Sequence, residues 1–207
     1  MNYMAKPLEL GLWEIAVLSM LQEEPMHPYR MQRLLHERHK DEMLVLKRGS
    51  LYHAIRRLLR WKLIEVAGKQ RDGRRPERTA YRMTRDGKHE LLRALHRTLG
   101  TPRREPSEFM AALSFLVYLD AKDATARLEE RERWLGGAIR EHSAGLKSVA
   151  RHVGRIHLIE SEYLIAMQKA ERTWVREIIR DLRSGRLRWD LAEILKVLRA
   201  SRRTAKA

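Results

Sequence analysis

The sequence predicts a mostly α-helical fold with a small β-hairpin, divided into an N-terminal mixed domain and a C-terminal all-helical domain. Leu, Ala, Arg and Glu dominate the composition, which favours helix over strand. Strand-like patterning is confined to residues 63–83, around the Asp72-Gly73 turn signal. Beyond residue 106 only helical periodicity remains. Together these observations predict the two-domain division.

The N-terminal elements follow from apolar spacing and from residues that begin or end helices. An apolar repeat over residues 8–21 predicts the first helix, and Pro28 suits the first turn of the second. Ser50 is the expected N-cap of a third helix, and residues 63–83 form the hairpin. The last helix begins at residues 84–87. Its expected buried stripe is Leu91, Leu92, Leu95 and Leu99.

The C-terminal domain is expected to consist of long helices. A heptad pattern runs from Leu128 to Ile156, which is typical of a coiled-coil-like pair, and Gly154 is the expected break between two helices. A short helix is expected over residues 189–198. The predicted domains are residues 1–99 and 106–198, followed by a basic flexible tail over 199–207.

Positive charge is concentrated around the third helix and the hairpin. Residues 47–85 contain thirteen Lys and Arg against three Asp and Glu, a net charge of +10 within a chain of +16. The basic residues do not form one amphipathic helix with a broad apolar face, as a membrane-surface helix would require. Nucleic acid is therefore the expected polyanionic partner.

Several other classes of protein are not expected. The chain has no cysteine, which excludes disulfides and thiol catalysis. No apolar run approaches the length of a membrane span, so we expect a cytoplasmic protein that does not enter a membrane. The sequence contains no glycine-rich phosphate loop, nucleophile elbow or HExxH motif. We therefore expect no enzyme activity, no cofactor and no metal site.

The third helix has the pattern of a recognition helix in a winged helix-turn-helix domain. Its apolar side would pack on the domain, and its basic side would enter the major groove of double-stranded DNA. The basic hairpin turn would reach a flanking minor groove or its phosphates. The candidate DNA-binding residues are Tyr29, Arg30, Lys47, Arg48, Ser50, Tyr52, His53, Arg56, Arg57, Arg60, Arg71, Arg74, Arg75 and Arg78.

These residues also carry a family resemblance. The runs Gly49-Ser50-Leu51-Tyr52, Arg74-Arg75-Pro76-Glu77-Arg78 and Tyr81-Arg82-Met83-Thr84-Arg85-Asp86-Gly87, with Glu24-Pro25-Met26-His27-Pro28-Tyr29 before them, resemble the PadR family of bacterial winged-helix transcriptional regulators. Residues 8–99 resemble the family closely. The C-terminal part is similar only in kind, to the longer helical dimerisation domain of one branch. Two departures are Pro28, where glycine is common, and Arg30, where an acidic residue is common.

The resemblance implies a homodimer that binds a pseudo-palindromic operator, usually as a repressor, and that in some members is released by a small-molecule effector. It also implies DNA contacts at Tyr29, Ser50, Tyr52, Arg74 and Arg75.

The heptad pattern by itself leaves two interpretations, a homodimer seam or a helical hairpin within one chain. The candidate dimer residues are Trp13, Leu128, Leu135, Ile139, Leu146, Val149, Val153 and Ile156. Trp134, Tyr163, Met167 and Trp174 are candidates for an effector pocket, with packing in a core or interface as the alternative.

The sequence therefore predicts a sequence-specific DNA-binding transcriptional regulator. The principal alternative is a non-sequence-specific nucleic-acid binder, such as a chromosome-organising protein. A third hypothesis is an adaptor whose winged helix binds protein, although the positive charge of the third helix argues against it.

Overall fold

The structure is a computed structural model that describes residues 8–38, 48–70, 78–102 and 107–204. The chain divides into two compact units, Met1–Arg104 and Glu105–Ala207. In the described part, no helix is both long and apolar enough to cross a membrane.

Among its described residues, the first unit packs four helices with a β-hairpin. Its hairpin is antiparallel, with Ile64 opposite Met83, and the register shifts at a bulge between Val66 and Gly68. Gly68 has a φ of 131°, a backbone conformation that favours glycine. The elements in chain order are α1 (Leu12–Leu21), α2 (Pro28–Glu37), α3 (Arg48–Arg60), β1 (Ile64–Gln70), β2 (Arg78–Met83) and α4 (Arg85–Gly100).

The core of the first unit unites the apolar sides of α1, α2 and α3. Leu18, Met31 and Leu58 are fully buried at its centre, and Trp13 packs against it while partly exposed. Burying a side chain of this size contributes about 1.5–3 kcal/mol relative to leaving it in water. Trp13, a candidate dimer residue, is thus partly covered by packing within its own domain.

The apolar stripe expected on α4 is only partly correct. Leu91 is buried, but Leu92, Leu95 and Leu99 are exposed in this unit. The second buried position is Ala94, one turn after Leu91. The sequence spacing predicted the helix correctly but predicted more buried residues on its apolar side than the structure has.

A left-handed residue makes the sharp change of direction from α3 to β1. Lys62 has a φ of 58°, the N–H of Lys62 donates to the Leu59 carbonyl, and the N–H of Leu63 donates to the Leu58 carbonyl. This pair of bonds is a Schellman ending, which commonly uses glycine at the position that Lys62 occupies. The turn sends the chain directly from α3 into the hairpin.

The hairpin is held to the start of α4 by Thr84 and Gly87. The Thr84 hydroxyl accepts a bond of 3.1 Å from the Gly87 N–H and donates one of 2.9 Å to the Lys62 carbonyl. A Cβ atom on Gly87 would lie 2.1 Å from the Leu63 carbonyl oxygen, closer than any real contact. The Thr-x-x-Gly part of the sequence motif therefore serves the close packing of α4 on the α3–β1 turn.

The second unit is built around an antiparallel pair of long helices. Gly154 lies in the connection between these two helices, where the sequence predicted a break. The elements are α5 (Glu108–Ser114), a 3-10 turn (Leu116–Tyr118), α6 (Ala121–Val149), a 3-10 turn (Arg155–His157), α7 (Ile159–Arg183) and α8 (Leu191–Thr204). Helix α8 continues to Thr204, so the first residues of the expected flexible tail are helical.

The heptad seam is largely a contact within one chain. Leu128 and Leu135 are buried in the second unit, where Leu128 packs with Val175 and Ile179 of α7. Their surface is already covered within the chain, so the structure gives no support to their prediction as contacts of a partner chain. Ile139 and Leu146 are half-buried. The other three candidates remain exposed: Val149, Val153 and Ile156.

The heptads also do not form one continuous helix. Helix α6 ends at Val149, so Val153 lies in the connection and Ile156 in a 3-10 turn. A seven-residue repeat appears the same in the sequence whether its partner helix lies in the same chain or in another.

Ion pairs join α6 to α7 beside this core. The Glu132 carboxylate accepts bonds of 2.8 Å from the Arg172 Nε and 2.7 Å from the Arg176 Nε. Burial by itself would raise the pKa of Glu132, but the hydrogen bonds and charges of Arg172 and Arg176 outweigh it and hold the pKa below its usual value. Gly136 leaves room for the Arg172 guanidinium, since a Cβ atom at Gly136 would lie 2.8 Å from an Arg172 nitrogen.

Glu132→Gln is expected to destabilise the protein by about 1 kcal/mol at pH 7. Because the folded-state pKa is lowered, the stabilisation is present above the unfolded pKa of about 4.3 and is lost as pH falls through the folded value. Denaturant unfolding measures the free energy of unfolding of both proteins. The difference between Glu132→Gln and the wild type should be larger at pH 7 than at pH 3. Glu177→Gln, which breaks a looser exposed pair with Arg180, is the control. An equal effect of Glu132→Gln at both pH values would contradict the assignment.

Candidate nucleic-acid interface

Helix α3 separates an apolar side from a polar side. Leu51, Ala54, Ile55 and Leu58 are buried in the first unit. The remaining sides of the helix expose Tyr52, His53, Arg56, Arg57 and Arg60, as the sequence predicted. The apolar side fixes the helix to the domain, and Tyr52 and the arginines reach solvent from the surface of the protein.

The exposed arginines keep their charge available on this surface. The Arg56 Nη2 lies 3.1 Å from the Nδ1 of His53, one turn earlier on the same helix. Among the described residues, no carboxylate forms an ion pair with Arg56 or Arg60. The exposed side of α3 therefore carries two arginines and the half-exposed Tyr52 without an internal counter-charge.

Helix α3 begins earlier than the sequence predicted. Its first residue is Arg48, so Ser50 lies within the first turn and is not the N-cap. Ser50 is half-buried there. The first amides of a helix lack partners within the helix, and they favour anions such as phosphate oxygens. Ser50 thus remains beside a group of potential phosphate donors.

Tyr29 and Arg78, which are 49 residues apart, lie together. The Arg78 guanidinium carbon lies 4.6 Å from the centre of the Tyr29 ring, and the ring stacks on His27. Two backbone bonds of 3.1 Å between Met26 and Tyr81 join the start of α2 to β2 and explain this meeting. The structure therefore brings one candidate residue from α2 against another from the hairpin.

A buried histidine begins α2 at this junction. His27 accepts a bond of 3.1 Å at Nδ1 from the Arg30 N–H, and Pro28 follows at the first helical position. The Arg30 side chain forms an ion pair with Glu24. Part of the charge of Arg30 is therefore compensated within the domain, unlike that of Arg56.

Arg57 differs from the other candidates on α3. Its guanidinium donates a bond of 2.9 Å from Nε to a carboxylate oxygen of Glu14 in α1, and a second nitrogen, Nη2, lies 2.6 Å from the same oxygen. Periodicity assigned Arg57 to the solvent side correctly, but its partner is 43 residues away in the chain. We leave Arg57 out of the interface because its guanidinium is engaged inside the domain.

Several candidates cannot be located. Lys47, Arg71, Arg74 and Arg75 lie outside the described residues, as does the side chain of Arg48. Their roles in DNA binding stay predictions from the sequence. The strands that lead to the hairpin turn are described, and Arg82 of β2 pairs across the strands with Glu65 at 2.6 Å.

The four candidates for an effector pocket are largely exposed in the described part of the second unit. Trp134 and Tyr163 are about two-thirds exposed, and Met167 is half exposed. Trp174 packs edge-on against Phe109, with ring centres 6.2 Å apart. Two cavities of the second unit, of about 570 and 590 Å³, are lined by other residues. An effector pocket formed by these four side chains stays a prediction from the sequence.

The fold and the exposed basic helix define a winged-helix protein. Residues 17–93 match the model of the transcriptional regulator PadR-like family, which confirms the resemblance seen in the sequence. The match covers α2, α3, the hairpin, the second half of α1 and just over half of α4. It supports a DNA-binding transcriptional regulator as the general function. No curated protein matches the chain in sequence.

Solved structures share the fold across both units. The structure of Bacillus subtilis PadR in complex with operator DNA matches with a TM-score of 0.69 at 17% identity, over 83% of this chain and 99% of that one. Bacillus subtilis PadR in complex with p-coumaric acid matches with a TM-score of 0.67 at 16% identity, over 83% and 99%. The Vibrio cholerae virulence activator AphA matches with a TM-score of 0.63 at 13% identity, over 84% and 99%.

Proposed function

We propose that the protein is a homodimeric, sequence-specific transcriptional regulator that inserts α3 into the major groove of a two-fold operator. The observation that carries the proposal is the exposed side of α3, where Arg56 and Arg60 have no carboxylate partner among the described residues. Helix α3 spans 13 residues, about 20 Å in length, and an α-helix fits the major groove. Arginine can donate two hydrogen bonds to the O6 and N7 atoms of guanine.

The neighbouring elements would position the helix on the duplex. Tyr29 and Arg78, which are in contact, suit one phosphate site beside the groove, because a phenol and a guanidinium both donate to phosphate oxygens. The basic hairpin turn, including Arg74 and Arg75, would contact the backbone further along. These contacts fix register and orientation, and the arginines of α3 would supply the sequence preference.

The homodimer is supported by exposed apolar side chains on the second unit. We name as the apolar surface the set Trp134, Val149, Val153, Ile156, Tyr163 and Met167, whose members range from 37% to 70% exposed. Exposed apolar residues of this size are typical of subunit interfaces. A second copy of the chain is the occupant that we propose, since two recognition helices about 34 Å apart require two-fold symmetry.

The double variant Tyr163→Glu, Met167→Glu is expected to be monomeric, because each buried carboxylate would face an apolar partner surface. Native mass spectrometry at low micromolar concentration measures this directly. Lys169→Glu with Lys122→Glu changes exposed residues outside the apolar surface and should leave the oligomer intact. A dimeric Tyr163→Glu, Met167→Glu variant that is as stable as the wild-type dimer would contradict the interface.

Repression and release by an effector are finer parts of the proposal. Repression is what the family resemblance implies. A small-molecule effector is suggested by the structure of Bacillus subtilis PadR in complex with p-coumaric acid. Transcription from the selected operator, measured with and without the protein, distinguishes repression from activation. Adding a phenolic acid to the same assay tests whether a ligand of that class releases the DNA.

Selection from a library of randomised DNA duplexes tests sequence-specific binding. The proposal predicts enrichment of a two-fold motif, with affinity about 10³-fold or more above a shuffled duplex at physiological salt. The affinity should also fall steeply as salt rises, since phosphate contacts release counterions. Strong binding with no enriched motif would instead favour the non-sequence-specific nucleic-acid binder.

A further inference from the structure

Glu14 is a buried carboxylate that contacts the recognition helix from α1. The residue is only 2% exposed, within a helix whose other buried positions are apolar. One oxygen accepts a bond of 3.0 Å from the Gly11 N–H. The other oxygen accepts from the Arg57 guanidinium, with Nε at 2.9 Å and Nη2 at 2.6 Å. The carboxylate is thus bonded on both oxygens.

Arg57 is held from a second direction as well. Its guanidinium carbon lies 5.2 Å from the centre of the Trp61 ring, one turn further along α3. Trp61 packs against the core of the first unit. A guanidinium that bonds a carboxylate on one side and lies over an aromatic ring has few other rotamers open to it. Arg57 therefore ties α3 to α1 at a defined position.

This pair lies beside the candidate interface and not within it. Arg56 is adjacent to Arg57 in the chain, and successive residues on a helix point about 100° apart. The apolar side of α3 prevents the helix from leaving the core, but apolar attraction has no preferred direction. A two-donor bond to a buried carboxylate is directional and resists rotation of the helix.

We infer that Glu14 is a positioning residue that sets the DNA sequence specificity of α3. It fixes the rotation of the helix through Arg57, and it keeps the Arg57 cation from forming a sequence-independent phosphate contact. Loss of Glu14 would weaken base recognition and would free a cation to contact the DNA phosphates. Both effects lower the ratio of specific to non-specific DNA affinity. The inference rests on the proposed function.

The experiment compares two equilibrium affinities of the full-length protein for each variant. One probe is the duplex that the wild type selects from a randomised library, and the other is the same duplex with its bases shuffled. Glu14→Gln retains the shape of the side chain and removes its charge. Its ratio of selected to shuffled affinity is expected to fall by about fivefold to tenfold, since coupled neighbours interact by about 1 kcal/mol.

The ratio separates positioning from a purely structural role. A partly unfolded sample lowers both affinities by the same factor, so the ratio does not change. A fall in the ratio, with the shuffled affinity equal or raised, supports the inference. An equal fall of both affinities, or no change in either, overturns it. Failure of the wild type to select any motif would instead refute the proposed function, and this is established first.

A second variant and a control complete the test. Arg57→Lys retains the charge but cannot donate two bonds in the guanidinium geometry, so its ratio should also fall, by about twofold to fivefold. This variant decides the question if Glu14→Gln fails to fold, and an unchanged Arg57→Lys ratio then overturns the inference. Glu23→Gln breaks an exposed carboxylate–guanidinium pair, with Arg38 at 2.5 and 2.8 Å, that does not involve α3, and should leave the ratio unchanged.

Discussion

Gly87→Ala is expected to destabilise the first unit by about 3 kcal/mol or more, enough to unfold much of it at 37 °C. Gly87 is buried in the first turn of α4. A methyl group there would overlap the carbonyl oxygen of Leu63 at 2.1 Å, and it would also lie 2.9 Å from the Met83 side chain. A backbone carbonyl cannot move aside as the end of a flexible side chain can.

The substitution would also disturb the hairpin, because the Leu63 carbonyl already accepts a hydrogen bond there. The Leu63 carbonyl accepts a bond of 3.0 Å from the Thr84 N–H, which ties the residue after β2 to the residue before β1. Moving α4 away to admit the methyl group would stretch this bond together with the bond from the Thr84 hydroxyl to the Lys62 carbonyl. Helix α3 leads directly into Leu63, so the recognition helix would lose its fixed end.

Denaturant unfolding followed by circular dichroism measures the change. Gly100→Ala provides the control in the same helix, because nothing lies within 4 Å of a Cβ atom at Gly100. Alanine is also the better helix former, so the control should be neutral or slightly more stable. If Gly87→Ala behaves as Gly100→Ala does, the close approach of α4 to the Leu63 carbonyl is refuted.

The double variant Arg56→Ala, Arg60→Ala is expected to lose about 100-fold or more in operator affinity while remaining folded. Each arginine that reads a guanine contributes about 1–3 kcal/mol, and two losses of about 1.4 kcal/mol each give this factor. Both side chains are exposed, and α3 retains its four buried apolar residues. The melting temperature should therefore stay close to that of the wild type.

The control must remove the same charge elsewhere. Arg133→Ala with Arg180→Ala changes two exposed arginines of the second unit. Non-specific attraction to DNA would fall similarly in both double variants, so the difference between them isolates the contribution of α3. Fluorescence anisotropy on the selected duplex measures both affinities. Equal losses in the two variants would mean that only the net charge matters.

The parts of the fold that the sequence predicted are those determined by local patterns. The apolar spacing of α3, the hairpin signal at Asp72-Gly73 and the proline at the start of α2 each depend on neighbours within a few residues. The break at Gly154 was predicted for the same reason. The exposed side of α3 followed directly from its period of 3.6, because the residues opposite Leu51 and Leu58 must face solvent.

Features that depend on distant partners were not predicted. Glu14 sits in an apolar helix where a single buried acid is the only signal, and its partner Arg57 lies 43 residues further along. Leu128 and Leu135 could equally have met a second chain, because the heptad repeat is the same in both cases. Arg57 was assigned to the DNA for the related reason that periodicity reports the side of a helix but not its tertiary partner.

The packing role of Gly87 could not be predicted from the sequence motif. The resemblance identified the run from Tyr81 to Gly87 as a motif but gave no reason for its glycine. The structure supplies that reason in the approach of α4 to Leu63, which is a packing constraint rather than a DNA contact. A motif near a functional site can therefore preserve the support of the site instead of its chemistry.

The central claim is that the exposed side of α3 and the Tyr29–Arg78 contact lie against DNA. Arginine modification by phenylglyoxal, mapped by mass spectrometry with and without the selected duplex, tests it directly. We predict that DNA strongly protects Arg56, Arg60 and Arg78, while Arg133 and Arg180 keep their reactivity. Unchanged modification of Arg56 and Arg60 at saturating duplex would contradict the account.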